Sequence, residues 1–298
     1  MRVLFKKWSL FLVLLGLSCV VAVPDTLAKK DNRNVHFIGA WYGGFFASFM
    51  CVLNHLSWCE KNNQIPVVYW DNRSLYYSGR LNGSDNVWEY YFEPVSSVNY
   101  RPSKPINLQF TAVTPDAIEF CQDYIDQNTR KKAYALISKY IKIKSNVKHK
   151  IDDFYQRYMA RKRTIGIHLR GTDKGSEEGL INPEKIVAVA LRYADKDTQF
   201  LIASDEQRSM TKMIFLLQGH SVIYYNCYRS DNGKPIHLRY KKPSFAQLGE
   251  DVLVEASLLA QCDLFIHTFS NVSSSALYLN PHLEHILVRQ DGLPSITD

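Results

Sequence analysis

The 298-residue sequence contains no CxxC pair and no HExxH, so the usual zinc-ribbon and metalloprotease sites are excluded. It has neither a Walker loop nor GxGxxG, which argues against an NTPase or a classical dehydrogenase, and no GxSxG elbow to suggest a hydrolase. Internal repeats and low-complexity tracts are absent too. The five cysteines beyond residue 28 (Cys51, Cys59, Cys121, Cys227 and Cys262) are an odd, scattered set, neither a disulfide framework nor a zinc site, with a Cys51–Cys59 disulfide left open. A net charge of +7 falls to +5 once residues 1–28, with Arg2, Lys6 and Lys7 against Asp25, are set aside. So mild a basic balance suits an anionic ligand such as a nucleotide and is too weak for nucleic-acid binding.

What the sequence does have is a leader and material for a large core, with 46% hydrophobic residues. A basic start (Arg2, Lys6, Lys7), an apolar run over residues 8–23 and Thr26-Leu27-Ala28 have the anatomy of a secretory signal. Uncleaved, the same run is nearly long enough to act as a membrane anchor. Residues 1–28 are therefore expected to send the chain to a periplasm, a lumen or a membrane. A cytoplasmic location follows only if the leader is not a signal.

From residue 34 the chain reads strand (VHFIGA), glycine-containing aromatic turn (WYGGFF), helix (ASFMCVLNHLSWCEKN) and strand (IPVVYW), one β-α-β unit. Residues 116–163 read as helical and basic, a solvated connector. From Thr164 the strands TIGIHL, QFLIAS, SVIYY, DLFIHTF and HILV alternate with the helices PEKIVAVALRYA, EQRSMTKMIFLLQG, GEDVLVEASLLAQC and SNVSSSALYLN. Continuous apolar strands alternating with helices predict a parallel sheet covered on both faces, which binds ligands at the carboxyl ends of its strands.

The polar residues collect at those ends: His168, Arg170, Asp173 and Lys174; Asp205 and Glu206; Thr268, Ser270 and Asn271. The last group opens a helix, so its hydroxyls and free backbone N–H groups form an anion site at the positive end of the helix dipole. Arg170 can grip the same anion bidentately, and one diphosphate satisfies both. Plain N-capping is the other reading of Ser270 and Asn271, and a surface ion pair with Asp173 that of His168 and Arg170. Asp195-Lys196-Asp197 matches the DxD of metal-dependent glycosyltransferases, but joins a helix end to a strand start at the opposite edge of the sheet.

The run His-Leu-Arg-Gly-Thr-Asp-Lys at residues 168–174 resembles the HxRxTDK signature of the α1,6-fucosyltransferase group, which includes the rhizobial nodulation fucosyltransferase and the animal core N-glycan enzymes. FLIASDE and DVLVEASLLAQCDLFIHTFSNVSSSALYLNP resemble that group's second and third motifs, at compatible spacing, so the likeness covers residues 164–281 well and the N-terminal half loosely. The resemblance implies an α/β fold of GT-B type with two Rossmann-like domains. It further implies a GDP-fucose donor, a glycan acceptor, inversion at the anomeric centre and no metal. Residues 29–163 are then an acceptor-side domain with its connector, and residues 164–298 the nucleotide-sugar domain.

Carried across, the resemblance places His168 and Glu255 at the guanine and Arg170 at the β-phosphate, and Glu178 where a catalytic glutamate is proposed, with Glu177 beside it as the rival. A carboxylate at Glu255 accepts from the two N–H donors of a guanine edge, which adenine lacks. Its plain alternative is an unpaired helix-surface glutamate, while Asp251 is expected only to favour its helix N-terminus. An inverting transfer needs one base for the acceptor hydroxyl. The sequence departs from the pattern at Gly171, where many relatives have a second arginine. In the N-terminal half Gly39, Gly43 and Gly44 allow close approach to a ligand, with Gly43 and Gly44 as acceptor-side candidates. The aromatics Trp41, Tyr42, Tyr76, Tyr77, Trp88, Tyr90 and Tyr91 can stack on sugars, although core packing is the preferred reading for any one of them. Transfer to protein Ser/Thr, another GDP-sugar donor, and a non-catalytic glycan- or nucleotide-binding relative remain the alternatives.

Overall fold

The computed structural model describes residues 34–40, 43–98, 118–171, 181–233, 244–289 and 294–295. The leader at residues 1–28 lies outside them, and among the described residues no helix is long and apolar enough to cross a membrane. In the N-terminal half, β1 (Val35–Ile38) and β2 (Ile65–Val68) pair in parallel across α1 (Phe45–Lys61). Cys51 and Cys59 both lie on α1, about 12 Å apart along its axis, too far to bridge. All five described cysteines are accordingly free thiols.

A short helix, α2 (Trp88–Tyr91), supplies aromatic core, and α3 (Gln127–Tyr140) and α4 (Ser145–Phe154) form the connector, which runs on into a π turn at Tyr155–Met159. Asp126 caps α3 by accepting from the backbone N–H groups of Asn128 and Thr129. The connector is not merely solvated: Ala133, Leu136 and Ile137 bury one face of α3, and buried Arg130 donates from Nη1 to the Leu283 carbonyl at 3.1 Å. Lysines on the other face stay in water. Trp88, Tyr90 and Tyr91 are buried in an aromatic cluster with Phe45, Trp70 and Phe92, so these three are core rather than sugar platforms.

The C-terminal half follows the alternation of its sequence: β3 (Thr164–Leu169), α5 (Pro183–Leu191), β4 (Gln199–Ser204), α6 (Gln207–Leu216), β5 (Ser221–Ile223), α7 (Phe245–Leu259), β6 (Leu264–His267), α8 (Asn271–Leu279), β7 (His285–Val288) and β8 (Pro294–Ser295). Strand order is β5-β4-β3-β6-β7-β8, parallel throughout except for an antiparallel β8 that the sequence pattern does not foretell. On β3 the side chains alternate: Ile165, Ile167 and Leu169 pack under α5 and α6, while Gly166 faces Leu259 and Cys262 beside the opposite layer. His168 shares the Gly166 face. The chain runs outward from β3 to β5 and then returns to β6 on the other side of β3, so a crevice opens between the carboxyl ends of β3 and β6.

The two halves share one apolar core. The N-terminal half seats directly on α7: the Ser78 hydroxyl accepts from the Ala246 N–H at 2.8 Å, and the Tyr91 hydroxyl donates to the Ala246 carbonyl at 3.0 Å. Gly249 makes the approach possible, since a Cβ there would stand 2.3 Å from the Tyr91 Oη and 2.7 Å from its Cζ. Glycine to alanine ordinarily stabilises a helix interior. Here Gly249→Ala is expected to destabilise by about 1–3 kcal/mol through overpacking, read as a lower urea midpoint at unchanged slope; an unchanged or raised midpoint would refute the tight seam.

Candidate functional site

His168 closes β3 on the side facing α8. The Ser273 hydroxyl donates its one proton to the Thr268 carbonyl at 2.9 Å, so at 2.9 Å from His168 Nδ1 it acts as acceptor. Nδ1 therefore carries the imidazole proton and Nε2 is left to accept. Burial lowers the His168 pKa to about 4, outweighing the upward pull of Asp205, so the ring is neutral at physiological pH. A second buried pair props this layer: His267 Nδ1 lies 3.2 Å from the Thr268 carbonyl and its Nε2 3.1 Å from His285 Nδ1. His267 is thus core.

Arg170 is held from three directions. Its backbone N–H donates to Thr268 Oγ1 at 3.1 Å, its Nη1 stands 3.2 Å from Asp205 Oδ2, and the next amide, that of Gly171, donates to Asp205 Oδ1 at 2.8 Å. Thr268 and Asp205, expected as ligand contacts, are here engaged in bracing the arginine across three strand ends. A Cβ on Gly171 would come within 2.8 Å of Glu206 Cβ and 3.0 Å of its Oε2. The missing second arginine therefore has a local cause: no side chain fits there without moving Glu206.

Ser270 is the N-cap of α8, accepting from the Ser273 N–H at 3.0 Å, so the capping reading holds for it. Asn271 is the first helical residue. The amides of Asn271 and Val272 have no carbonyl one turn earlier within the helix, which leaves the positive end of α8 beside the cavity that Val272 lines.

Two carboxylates one turn apart on α7 also line this cavity. Asp251 is buried, accepts from Gln247 Nε2 at 2.7 Å and lines the cavity, so it does more than favour its helix N-terminus. Glu255 is not unpaired: its Oε1 accepts from Arg229 Nη2 at 2.6 Å. Burial pushes the Glu255 carboxyl up to about 7 against the pull of Arg229. Sequence reasoning missed Arg229, which stands in a turn-rich loop; the only available signal was that a loop following β5 ends at the ligand edge of a parallel sheet.

Tyr76 brings the N-terminal half to the cavity wall, its hydroxyl accepting from the Phe45 N–H at 2.9 Å. Gly44, the N-cap of α1, lies behind it, where a Cβ would be 3.9 Å from the Tyr76 Oη; neither Gly44 nor Gly43 lines the cavity. Asp173, Lys174, Glu177 and Glu178 lie outside the described residues. Asp195 is spent on its own turn, accepting from the Asp197 N–H at 3.0 Å and the Thr198 hydroxyl at 2.7 Å just before β4, at the far edge of the sheet. Among the described residues no three His, Cys, Asp or Glu side chains converge as a cation site. The cavity wall thus combines a guanidinium and a helix N-terminus with the carboxylates of Asp205, Asp251 and Glu255 and a neutral imidazole acceptor. It suits a ligand with an anionic part and an N–H-rich part.

No protein-family model and no curated protein matches the sequence. Solved structures do. The NodZ α1,6-fucosyltransferase soaked with GDP-fucose superposes with a TM-score of 0.57 at 16% identity, over 89% of this chain and 99% of that one. NodZ co-crystallised with GDP gives 0.56 at 16% identity, over 89% and 98%. Selenomethionine NodZ from Bradyrhizobium gives 0.58 at 16% identity, again over 89% and 98%. This likeness establishes the fold: the chain is an α/β protein with parallel sheets, built on the plan of the NodZ structures.

Proposed function

We propose that the chain transfers fucose from GDP-fucose to a glycan hydroxyl, with inversion and without a metal. The observation that carries this reading is the cavity at the switch point, whose wall brings Arg170 and the N-terminal turn of α8 together with the carboxylates of Glu255 and Asp251. The NodZ structures soaked with GDP-fucose or grown with GDP share the fold and support the choice of donor. In the reaction, Arg170 and the free amides of α8 offset the charge growing on the departing diphosphate, in place of a cation. Glu255 accepts from the guanine N–H groups, and His168 Nε2 accepts from a further nucleotide donor. Glu178, or Glu177 beside it, takes the proton of the acceptor hydroxyl as that oxygen attacks C1 from the face opposite the diphosphate. With residues 1–28 as signal or anchor, transfer takes place in a periplasm or lumen, or at a membrane facing one.

Calorimetric titration of the purified protein with GDP, GDP-fucose, GDP-mannose, ADP and UDP-GlcNAc, with and without EDTA, tests this. Binding of GDP and GDP-fucose that EDTA leaves unchanged, with ADP silent, is the expected result. A folded sample that binds no nucleotide would replace the transferase reading with that of a glycan-binding relative.

A further inference from the structure

Arg229 is an unusual residue to find buried. Its side chain is 4% exposed, and it folds back on its own loop: Nη1 donates to the Cys227 carbonyl at 3.0 Å and Nη2 to the Tyr225 carbonyl at 3.0 Å, while Nη2 also reaches Glu255 Oε1. Nε finds no partner among the described residues. Exchanging a buried ion pair for apolar residues often leaves stability unchanged or raised, and this pair even leaves one N–H unmatched. Stability alone does not account for it.

The cavity suggests what does. Burial, Asp251 on the same helix and Asp205 from the end of β4 all press Glu255 towards its protonated form; against them the Cys227 thiol acts only as a neutral hydrogen-bond donor to the carboxylate, and Tyr225 brings no charge. Of the cavity's other β3 groups, His168 is neutral and Arg170 is engaged with Asp205. Arg229 is the cation in contact with the carboxylate. The distinction is chemical: an ionised carboxylate offers two acceptors, matching the ring N–H and exocyclic amine of guanine. A protonated carboxyl offers one donor and one acceptor, matching the ring lone pair and amine of adenine. We infer that Arg229 sets the nucleobase selectivity of the cleft, as a positioning residue that keeps Glu255 an oriented carboxylate and so makes the wall accept guanine and refuse adenine.

The inference rests on the reading of the cavity as a nucleoside-diphosphate site, and one experiment separates the two. GDP and ADP are titrated calorimetrically into the full chain and into its Arg229→Gln and Arg229→Lys variants from about pH 6 to pH 9, with circular dichroism as the folding control. Arg229→Gln removes the charge and keeps a polar N–H group on a shorter side chain. Its GDP-over-ADP preference should fall at least about tenfold where the wild-type preference has levelled off, and should return about one pH unit or more higher. Arg229→Lys, which keeps the charge, should stay near wild type. An unchanged preference in Arg229→Gln, or an equal loss of both nucleotides at every pH, would overturn the inference while leaving the nucleotide site standing. Wild-type protein that binds neither nucleotide would overturn both. Should the glutamine variant fail to fold, Arg229→Met supplies the neutral test. If both unfold, Arg229 is a stability residue and the inference falls.

Discussion

Replacing Arg170 by alanine is expected to lower kcat/KM for GDP-fucose by about 10²–10³-fold and to weaken GDP binding in calorimetry. Two effects act together. The attraction between the guanidinium and the diphosphate is lost, and Asp205, now without the cation 3.2 Å away, presents a carboxylate towards the anion. The fold should survive, because the Arg170 side chain is 23% exposed and its backbone bond to Thr268 does not depend on it. Arg170→Lys should recover only part of the loss, since an ammonium cannot hold a phosphate in a two-bond fork. Undiminished transfer by the alanine variant in a steady-state assay would take the phosphate role away from Arg170.

The second large effect belongs to the base. Glu178→Gln is expected to leave GDP affinity within error of wild type while transfer falls by about 10²–10⁴-fold. Glu177→Gln, measured alongside, is expected to retain most activity. If the two results exchange places, Glu177 is the base; if both variants stay active, the proton goes elsewhere. His168 is a poor substitute, because burial holds its pKa at about 4 and its Nδ1 proton is committed to Ser273.

The sequence pattern carried the sheet further than the site. TIGIHL, QFLIAS and HILV form strands with the residue limits read from their apolar runs, because a strand buried on both faces has no polar interruption to blur its ends. The α7 helix begins at Phe245, four residues before the expected start, since Ser244 caps it by accepting from the Gln247 N–H at 3.2 Å. On α3 the apolar stripe of Ala133, Leu136 and Ile137 is narrow and flanked by the exposed Lys131, Lys132 and Lys139, so its composition matches a wholly solvated helix. His168 and Arg170 were legible as candidates because a motif and a strand end coincided, and Glu255 through the motif alone. Arg229, Tyr76 and the cavity role of Asp251 were not: each depends on a contact between loops or halves distant in the chain, and loops have no period to read.

The seam at α7 bears on how the protein can move. Enzymes built from two halves commonly admit and release ligands by rocking about a hinge. Here the helix that carries Asp251 and Glu255 is also the seat of the N-terminal half, fastened through Ser78, Tyr91 and the bare backbone of Gly249. Rocking at that point would break both hydrogen bonds and unpack Tyr91 together, and would drag the carboxylates with it. Any movement that keeps these contacts therefore carries α7 and the N-terminal half together, with α7 as a spine common to both halves.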